Sequence, residues 1–507
     1  MPDSDQPNSS AESLGERPES APPRLAARAA GSSVWSLVGQ VYQVVLGLVS
    51  FALLTRWLSP ADYGVLGMAA TVSGFLGVIG DSGITNAVMR LPEIDDAAEA
   101  TAFWLSLIGG AVLTLASAIG APILAWFYKN HSITWISFAL ASTFLLAAPM
   151  RVSIAKLSRA MRFREITLIN MVGTTLSLAL TVGLAMRGFG VWALVAQGVS
   201  VFVLQGLMVM VISPPKMSLR LWSRDRARDL THVASRLSGF SLSITVGRAL
   251  DNILAGRFLG SSALGFMGMG MKLVFFPVER LSVAMYSVFL PAAVELGDDA
   301  RQAQAFKSAA RLILMVVGPF SLGTVAIAPE IVALLPPRWF GLEPVLRIYA
   351  LTSLVAPMGY LAMSVLVAQG RAGTLLRAAI AFIPMCWGAA ILGVLSGSVV
   401  GMVAAWSFSI VIGAVVFVWL LYRRLSLGVD FWGALLAPVS TSLLMAGLVR
   451  LSVSLLGLKG TRIGLAVGAV EGALLYAALA WLTMRPDLLR VVRLLKESRG
   501  KGSGRRI

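Results

Sequence analysis

Two neighbouring apolar stretches carry charges that a lipid-facing helix has no ordinary use for. "LSGFSLSITVGRALDNILAGRFLG" contains Arg248, Asp251 and Arg257, and "ALGFMGMGMKLVFFPVERLSVAM" contains Lys272 and Glu279. Arg248 lies about 11 residues into the first stretch, roughly 16 Å deep if helical, near the centre of a bilayer. Asp251 follows at i+3 on the same face, with Asn252 beside it. Lys272 and Glu279 stand seven apart, again on one helical face, whereas Arg280 points elsewhere. Each such charge costs about 2.5–3.5 kcal/mol at a helix centre, so all five call for an explanation. One arrangement pairs Arg248 with Asp251 and Lys272 with Glu279 as ties within a helix bundle. The other lines a wet cavity with net positive charge, its cations facing an anionic substrate and its carboxylates pairing with them or taking up a coupling cation. A basic charge is left over after pairing, which favours the second.

The rest of the chain supplies no catalytic apparatus. No nucleophile–base set, phosphate-binding glycine loop or dinucleotide turn is present. The one cysteine, Cys386, excludes an intrachain disulfide and a cysteine metal cluster. His131 and His232 lie beside different segments, so histidine metal chemistry is not expected.

The elements that position these charges follow from composition. Of 507 residues, 57% are hydrophobic and 13% charged, and mean hydropathy is +0.79. A soluble domain needs about a quarter of its residues charged, so most of this surface must meet lipid. Apolar runs recur that are long enough to cross a bilayer as helices, and the alternating pattern of a membrane barrel is missing. The expected fold is an all-α polytopic membrane protein with about 14 spans, near residues 33–54, 63–80, 102–128, 133–150, 166–186, 190–212, 237–258, 263–290, 309–335, 345–368, 374–395, 398–421, 434–456 and 462–484. Pro277, Pro319, Pro357 and Pro384 should kink the eighth to eleventh spans.

Residues 1–31, rich in Pro, Ser, Ala and Glu, read as a disordered tail. Placing that tail inside puts about 30 of the 42 basic residues in cytoplasmic segments. The richest are Arg151–Arg164, Pro214–Asp229 and the C-terminal tail, where the charge reads as a topology signal against anionic headgroups rather than as a nucleic-acid site. Both termini are then cytoplasmic. External loops such as "KNHS" and "PPRWFGLEP" are too short for an outer catalytic domain.

"RWLSPADYGVLGM" (Arg56–Met68) returns 201 positions later as "RFLGSSALGFMGM" (Arg257–Met269), with five identities in 13 residues. An even number of spans separates the two copies, so both hairpins run in the same sense, the plan of a parallel-repeat transporter. The expected organisation is a first six-helix bundle (32–212), a basic linker (213–236), a second six-helix bundle (237–424), two further spans (425–484) and a basic tail (485–507). Weaker candidates are Asp81 at the inner end of the second span, Glu330 in "APEIV" and Glu471. The two glutamates have no evident partner, and Arg450 is expected to snorkel outward.

"LTRWLSPADYGVLGMAATVSGFLGVIGDSGITNAVMR", "TAFWLSLIGGAVLTLASAIGAPILAWFY" and "GRALDNILAGRFLGSSALGFMGMGMKLVFFPVERLS" resemble the first hairpin, third helix and seventh–eighth hairpin of bacterial polysaccharide exporters. These belong to the multidrug/oligosaccharidyl-lipid/polysaccharide flippase superfamily, and the likeness runs through about residues 32–425. It implies two six-helix bundles in a V, two extra helices, and alternating-access flipping of an undecaprenyl-diphosphate-linked oligosaccharide across the bacterial inner membrane for surface or exopolysaccharide synthesis. It implies diphosphate contacts from Arg248, Arg257 and Lys272, with Arg56 the first-half counterpart of Arg257, and pairing or coupling roles for Asp251, Glu279 and Glu330. No cofactor is expected beyond a coupling Na+ or H+. The expected partners are the lipid-linked oligosaccharide, the bilayer and a polysaccharide polymerase or chain-length machinery. The rivals are a cation-coupled multidrug exporter of the same superfamily and a membrane saccharide polymerase or ligase. Neutralising Arg248 (Arg248→Gln) is expected to abolish export while the protein still inserts; wild-type export by that variant removes Arg248 from the mechanism.

Overall fold

The computed structural model of the chain describes residues 23–82, 84–91, 95–232, 250–280, 282, 298–369 and 372–503, and no strand occurs among them. The helices are α1 (Pro23–Leu54), α2 (Pro60–Ser82), α3 (Ile84–Arg90), α4 (Asp96–Tyr128), α5 (Ser132–Arg159), α6 (Phe163–Met186), α7 (Val191–Ile212), α8 (Leu250–Leu254), α9 (Ser261–Gly270), α10 (Asp299–Ala333), α11 (Leu342–Ala368), α12 (Ala372–Leu395), α13 (Val399–Arg424), α14 (Asp430–Leu455) and α15 (Arg462–Ser503). Ten helices among the described residues are long and apolar enough to span a membrane, with shorter apolar stretches at Val38–Leu54 and Ile380–Leu395. The chain is an all-α polytopic membrane protein. The expected count of fourteen is not reached by this measure, and most of the seventh expected span, residues 233–249, lies outside the described residues.

Some boundaries differ from expectation. Helix α1 begins at Pro23, so residues 23–31 are helical rather than part of a disordered tail. Helix α5 continues to Arg159, so most of the expected Arg151–Arg164 loop is helix and Arg151 is only 6% exposed. Helix α15 runs past the last expected span, with a break at Met484 (φ −130°) that Pro486 explains by removing a backbone donor.

Within the first half α4 packs on α5, α6 on α7, α5 on α7 and α1 on α6. Within the second, α10 packs on α11, and α11 and α12 on α13, while α14 and α15 lie against α10. The main contact between the halves is α2 against α9. It is here that the repeated turn acts. A Cβ on Gly64 would overlap the Ser261 carbonyl, and a Cβ on Gly265 would overlap the Pro60 carbonyl. Pro60 and Ser261 are themselves 201 residues apart, so the contact is reciprocal: each copy of the turn presents its first helical residue to the other copy's glycine.

The duplication extends beyond this turn. "DDAAEATAF" (Asp95–Phe103) recurs 203 residues on as "DDARQAQAF" (Asp298–Phe306), and "LAAPM" (Leu146–Met150) recurs 208 residues on as "LVAPM" (Leu354–Met358). Asp95 and Asp298 cap α4 and α10, accepting from the amides of Ala98 and Ala300. Phe103 and Phe306 are buried about two turns past their caps, and Pro149 and Pro357 sit inside α5 and α11. The offset grows from 203 to 208 because the α10–α11 connection, residues 334–341, is five residues longer than the α4–α5 connection, residues 129–131.

That insertion breaks the symmetry where the repeated turns meet. Arg338 donates to the Thr55 carbonyl (3.1 Å) and the Arg56 carbonyl (2.6 Å), and Trp339 Nε1 donates to the Leu58 carbonyl (3.2 Å). The fully buried Trp339 ring meets Phe51, Tyr63 and Phe266 edge-on, with centroids 6.1, 5.7 and 6.0 Å away. A second-half loop thus fills the crevice beside the first-half turn.

At the opposite end, the basic linker is clamped to the acidic start of α4. Glu99, 5% exposed, accepts from Lys156 Nζ (2.7 Å) and the Lys216 amide (2.9 Å). Arg226 pairs with Asp95 at 3.0 Å and Lys216 with Asp96 at 3.5 Å. The Ser223 amide donates to Thr101 Oγ1 (3.1 Å), and Ser153 Oγ to the Ser213 carbonyl (2.6 Å). The corresponding place in the second half is an amide pair, Gln369 Nε2 donating to Gln302 Oε1 at 2.8 Å. Part of the basic charge expected to meet lipid is therefore satisfied by the protein's own carboxylates.

Replacing Trp339 by Ala should destabilise the detergent-purified protein by about 3–5 kcal/mol, seen as a large fall in the thermal midpoint. Trp135→Ala, at a ring 67% exposed, should change it by less than about 0.5 kcal/mol. The Ala98 amide bond and then Arg226 hold the Asp95 carboxyl below its usual range. A depressed carboxyl stabilises above its unfolded value, about 3.9, and loses that contribution as pH falls through the folded value. Corrected for the intrinsic base-catalysed rate, hydrogen exchange in residues 219–232 should therefore stay slow from pH 7 down to about 5 and quicken relative to that rate below about 4. Asp95→Asn should show the faster exchange already at pH 7.

Candidate functional site

Helices α2 and α9 diverge below their glycine crossing and enclose a cavity of about 430 Å³. Tyr63, Ala70, Thr71 and Phe75 line it from α2, Asn252 from α8, and Met269, Met271, Lys272 and Phe276 from the α9 side. Lys272 is the charged residue among the described lining groups, and none of them is a carboxylate. The helix around it is not a plain α-helix. Pro277 cannot donate to the preceding turn, and residues Met271–Phe275 widen into a π-turn closed by the Phe276 amide on the Met271 carbonyl. The kink expected at Pro277 is thereby absorbed one turn earlier, and the helix continues through residues 276–280.

The same π-turn overturns the expected Lys272–Glu279 pairing. One residue of extra winding rotates the following side chains by about 100° relative to a regular α-helix, so residues seven apart no longer share a face. Among the described residues no ion pair joins them; Lys272 is exposed to the cavity and Glu279 is half-buried elsewhere. Asp251 is 6% exposed, next to the cavity residue Asn252 and within electrostatic reach of Tyr349. Arg248, its expected partner, lies outside the described residues, as does the side chain of Asp81.

The other expected cations are not in this cavity. Arg257 occupies a second π-turn, Ala255–Leu259. Its guanidinium lies over the rings of Phe127 (5.9 Å) and Phe258 (5.6 Å) in a separate pocket with Lys129 and His131. Arg56 is exposed beside the Arg338 strap. Glu330, fully buried, accepts from Arg450 at 3.0 Å and from the Gly460 amide at 3.3 Å. Glu330 therefore has a partner, and Arg450 turns inward to it instead of snorkelling, because α14 docks on α10. Glu471 likewise accepts from Ser452. These two acids tie α10, α14 and α15 together and do not line the central cavity.

Tyr63 and Thr71 carry no charge or motif that would mark them in the sequence. Their signal was positional: Tyr63 lies within the repeated turn and Thr71 three residues after it on α2, where it reaches Tyr128 at 3.3 Å.

Two repeats of membrane-spanning helices that meet at a glycine crossing and at the Arg338–Trp339 strap among the described residues, with a cavity open between them, define a polytopic membrane protein of transporter architecture. The polysaccharide biosynthesis protein family profile matches residues 53–341, more than half of the chain, and the chain belongs to that family. It is 26% identical over 470 residues to the succinoglycan biosynthesis transport protein ExoT of Rhizobium meliloti (strain 1021), covering 90% of this chain and 94% of ExoT. It is 24% identical to the teichuronic acid biosynthesis protein TuaB of Bacillus subtilis (strain 168), covering 69% and 73%. Among solved structures, the inward closed conformation of the lipid II flippase MurJ superposes with a TM-score of 0.70 at 13% identity, covering 90% of this chain and 99% of that one. An inward-facing multidrug resistance MATE family transporter of the MOP superfamily superposes with a TM-score of 0.54 at 17% identity, covering 78% and 94%. At these identities the structural matches speak for the fold.

Proposed function

We propose that the protein is a flippase that moves a polyprenyl-diphosphate-linked oligosaccharide across a bacterial inner membrane by alternating access, for surface or exopolysaccharide assembly. The observation that carries this reading is the cavity between α2 and α9, which offers one amine, Lys272, with hydroxyl and amide groups and no carboxylate among its described lining residues. An amine that faces the cavity, with no carboxylate among the described lining residues, favours an anionic guest, and a diphosphate supplies one. Tyr63, Thr71 and Asn252 suit the hydroxyls of a saccharide, and the polyprenyl chain can remain in lipid.

In this reading the two repeats rock about the cavity, and release of the α2–α9 crossing opens the end that carries the repeated turns. That end faces outward and the clamped linker and both termini face the cytoplasm, as the distribution of Lys and Arg argues. Asp251, buried beside the cavity, is the acid assigned to a coupling Na+ or H+, and Arg248, outside the described residues, keeps its expected role as a diphosphate contact. A polysaccharide polymerase or chain-length machinery is the expected downstream partner. The cation-coupled drug exporter is disfavoured, because a cavity for cationic drugs calls for an acidic wall.

Lys272→Gln should cut export of the polysaccharide about tenfold, the loss of one charge-assisted contact, while Lys272→Arg retains a substantial part. Mass spectrometry of lipid extracts should then show polyprenyl-diphosphate oligosaccharide accumulating in the Gln strain. Unchanged lipid-linked sugars with altered drug sensitivity would favour the exporter and sink the flippase.

A further inference from the structure

The pseudo-two-fold relation between the halves leaves two crevices at the end that carries the repeated turns. One lies between the α1–α2 turn and the α10–α11 loop, and Arg338 and Trp339 fill it. Its twin lies between the turn that leads into α9 and the α4–α5 loop. That loop is five residues shorter and has nothing to insert. The twin is an open cavity of about 800 Å³. Lys129 and His131 reach it from the first half and Arg257 and Phe258 from the second, and no carboxylate is among the described lining residues.

Three features give this cavity its chemistry. The C-terminus of α4 and the N-terminus of α5 meet there with opposed dipoles, so the side-chain cations set the local field. The Arg257 guanidinium is held by aromatic faces, Phe127 and Phe258, which orient it without neutralising it. Directly along α4, Val112, Leu115, Ile119, Ile123 and Trp126 are each at least 60% exposed at spacings of three or four. They form one apolar stripe that ends at the cationic pocket.

We propose that this cavity is a binding site for the headgroup of an anionic phospholipid, whose phosphate bridges Lys129 of the first half and Arg257 of the second while an acyl chain lies along the α4 stripe. A cationic pocket alone would suit any small anion. The continuous apolar stripe leading into it selects one that carries a chain. Because its cations come from both halves, the bound lipid stabilises the arrangement in which the repeated turns touch. It plays on one side the part that Arg338 and Trp339 play on the other. This site is separate from the central cavity and does not depend on the identity of the transported cargo.

The test uses the full-length protein in detergent, with palmitoyl-oleoyl phosphatidylglycerol, phosphatidylcholine of the same chains, and inorganic phosphate as probes, read by native mass spectrometry and thermal shift. Phosphatidylglycerol should bind and raise the melting midpoint where phosphatidylcholine and phosphate do not. Arg257→Gln and Lys129→Gln should each weaken it about fivefold, the loss expected for one interfacial cation. Lys129 is solvent-exposed, so its variant should fold even if the Arg257 variant does not. Equal binding of the two lipids, undiminished binding by Lys129→Gln, or an equal shift with inorganic phosphate alone would each overturn the proposal.

Discussion

The architecture hangs on the crossing of α2 and α9, where Gly64 meets the Ser261 backbone and Gly265 meets the Pro60 backbone. Two helix starts can approach this closely only if neither presents a Cβ, because no rotamer change relieves an overlap with a carbonyl. A single crossing point leaves the two helices free to diverge below it, and the space between them is the central cavity.

Around that contact the two halves are treated unequally. The first-half turn is strapped by Arg338 and buried under Trp339, with edge-on aromatic pairs each contributing about 0.5–1.5 kcal/mol. The second-half turn carries Arg257 over the half-buried Phe127 and the exposed Phe258, beside an open cationic pocket. Five inserted residues in one loop account for the difference. At the other end the same contrast recurs in milder form: Glu99 with Lys156 is an ion pair, whereas Gln302 with Gln369 is an amide pair at the matching place. The linker between the halves is fastened to the first of them and should move with it.

The intramembrane charges separate into kinds that composition does not distinguish. Lys272 faces the central cavity, Arg257 faces the lateral one, and Glu330 is consumed by Arg450 in fastening α14 to α10. Two π-turns carry the two cations. A wide turn re-aims the side chains that follow it, and Pro277 supplies the reason for one of them by withholding its amide from the ladder.

The membrane class, the helical fold and the duplicated turn were legible in the residues themselves. A chain with so few charges must meet lipid, lipid demands that backbone groups be satisfied within a helix, and the spacing of Gly64 and Gly265 survives as an offset of 201. The matching acidic caps at Asp95 and Asp298 and the "APM" motifs were equally present, but their offsets drift with loop length and are read as equivalent only once the helices are aligned. Which charges share a cavity was not legible. The heptad spacing of Lys272 and Glu279 assumes an uninterrupted 3.6-residue period, and a π-turn cancels it. The pairing of Glu330 with Arg450 joins residues 120 apart, and only the docking of α14 on α10 brings them together. Sequence decides what each helix can bury; the packing of one helix on another decides which charge each will face.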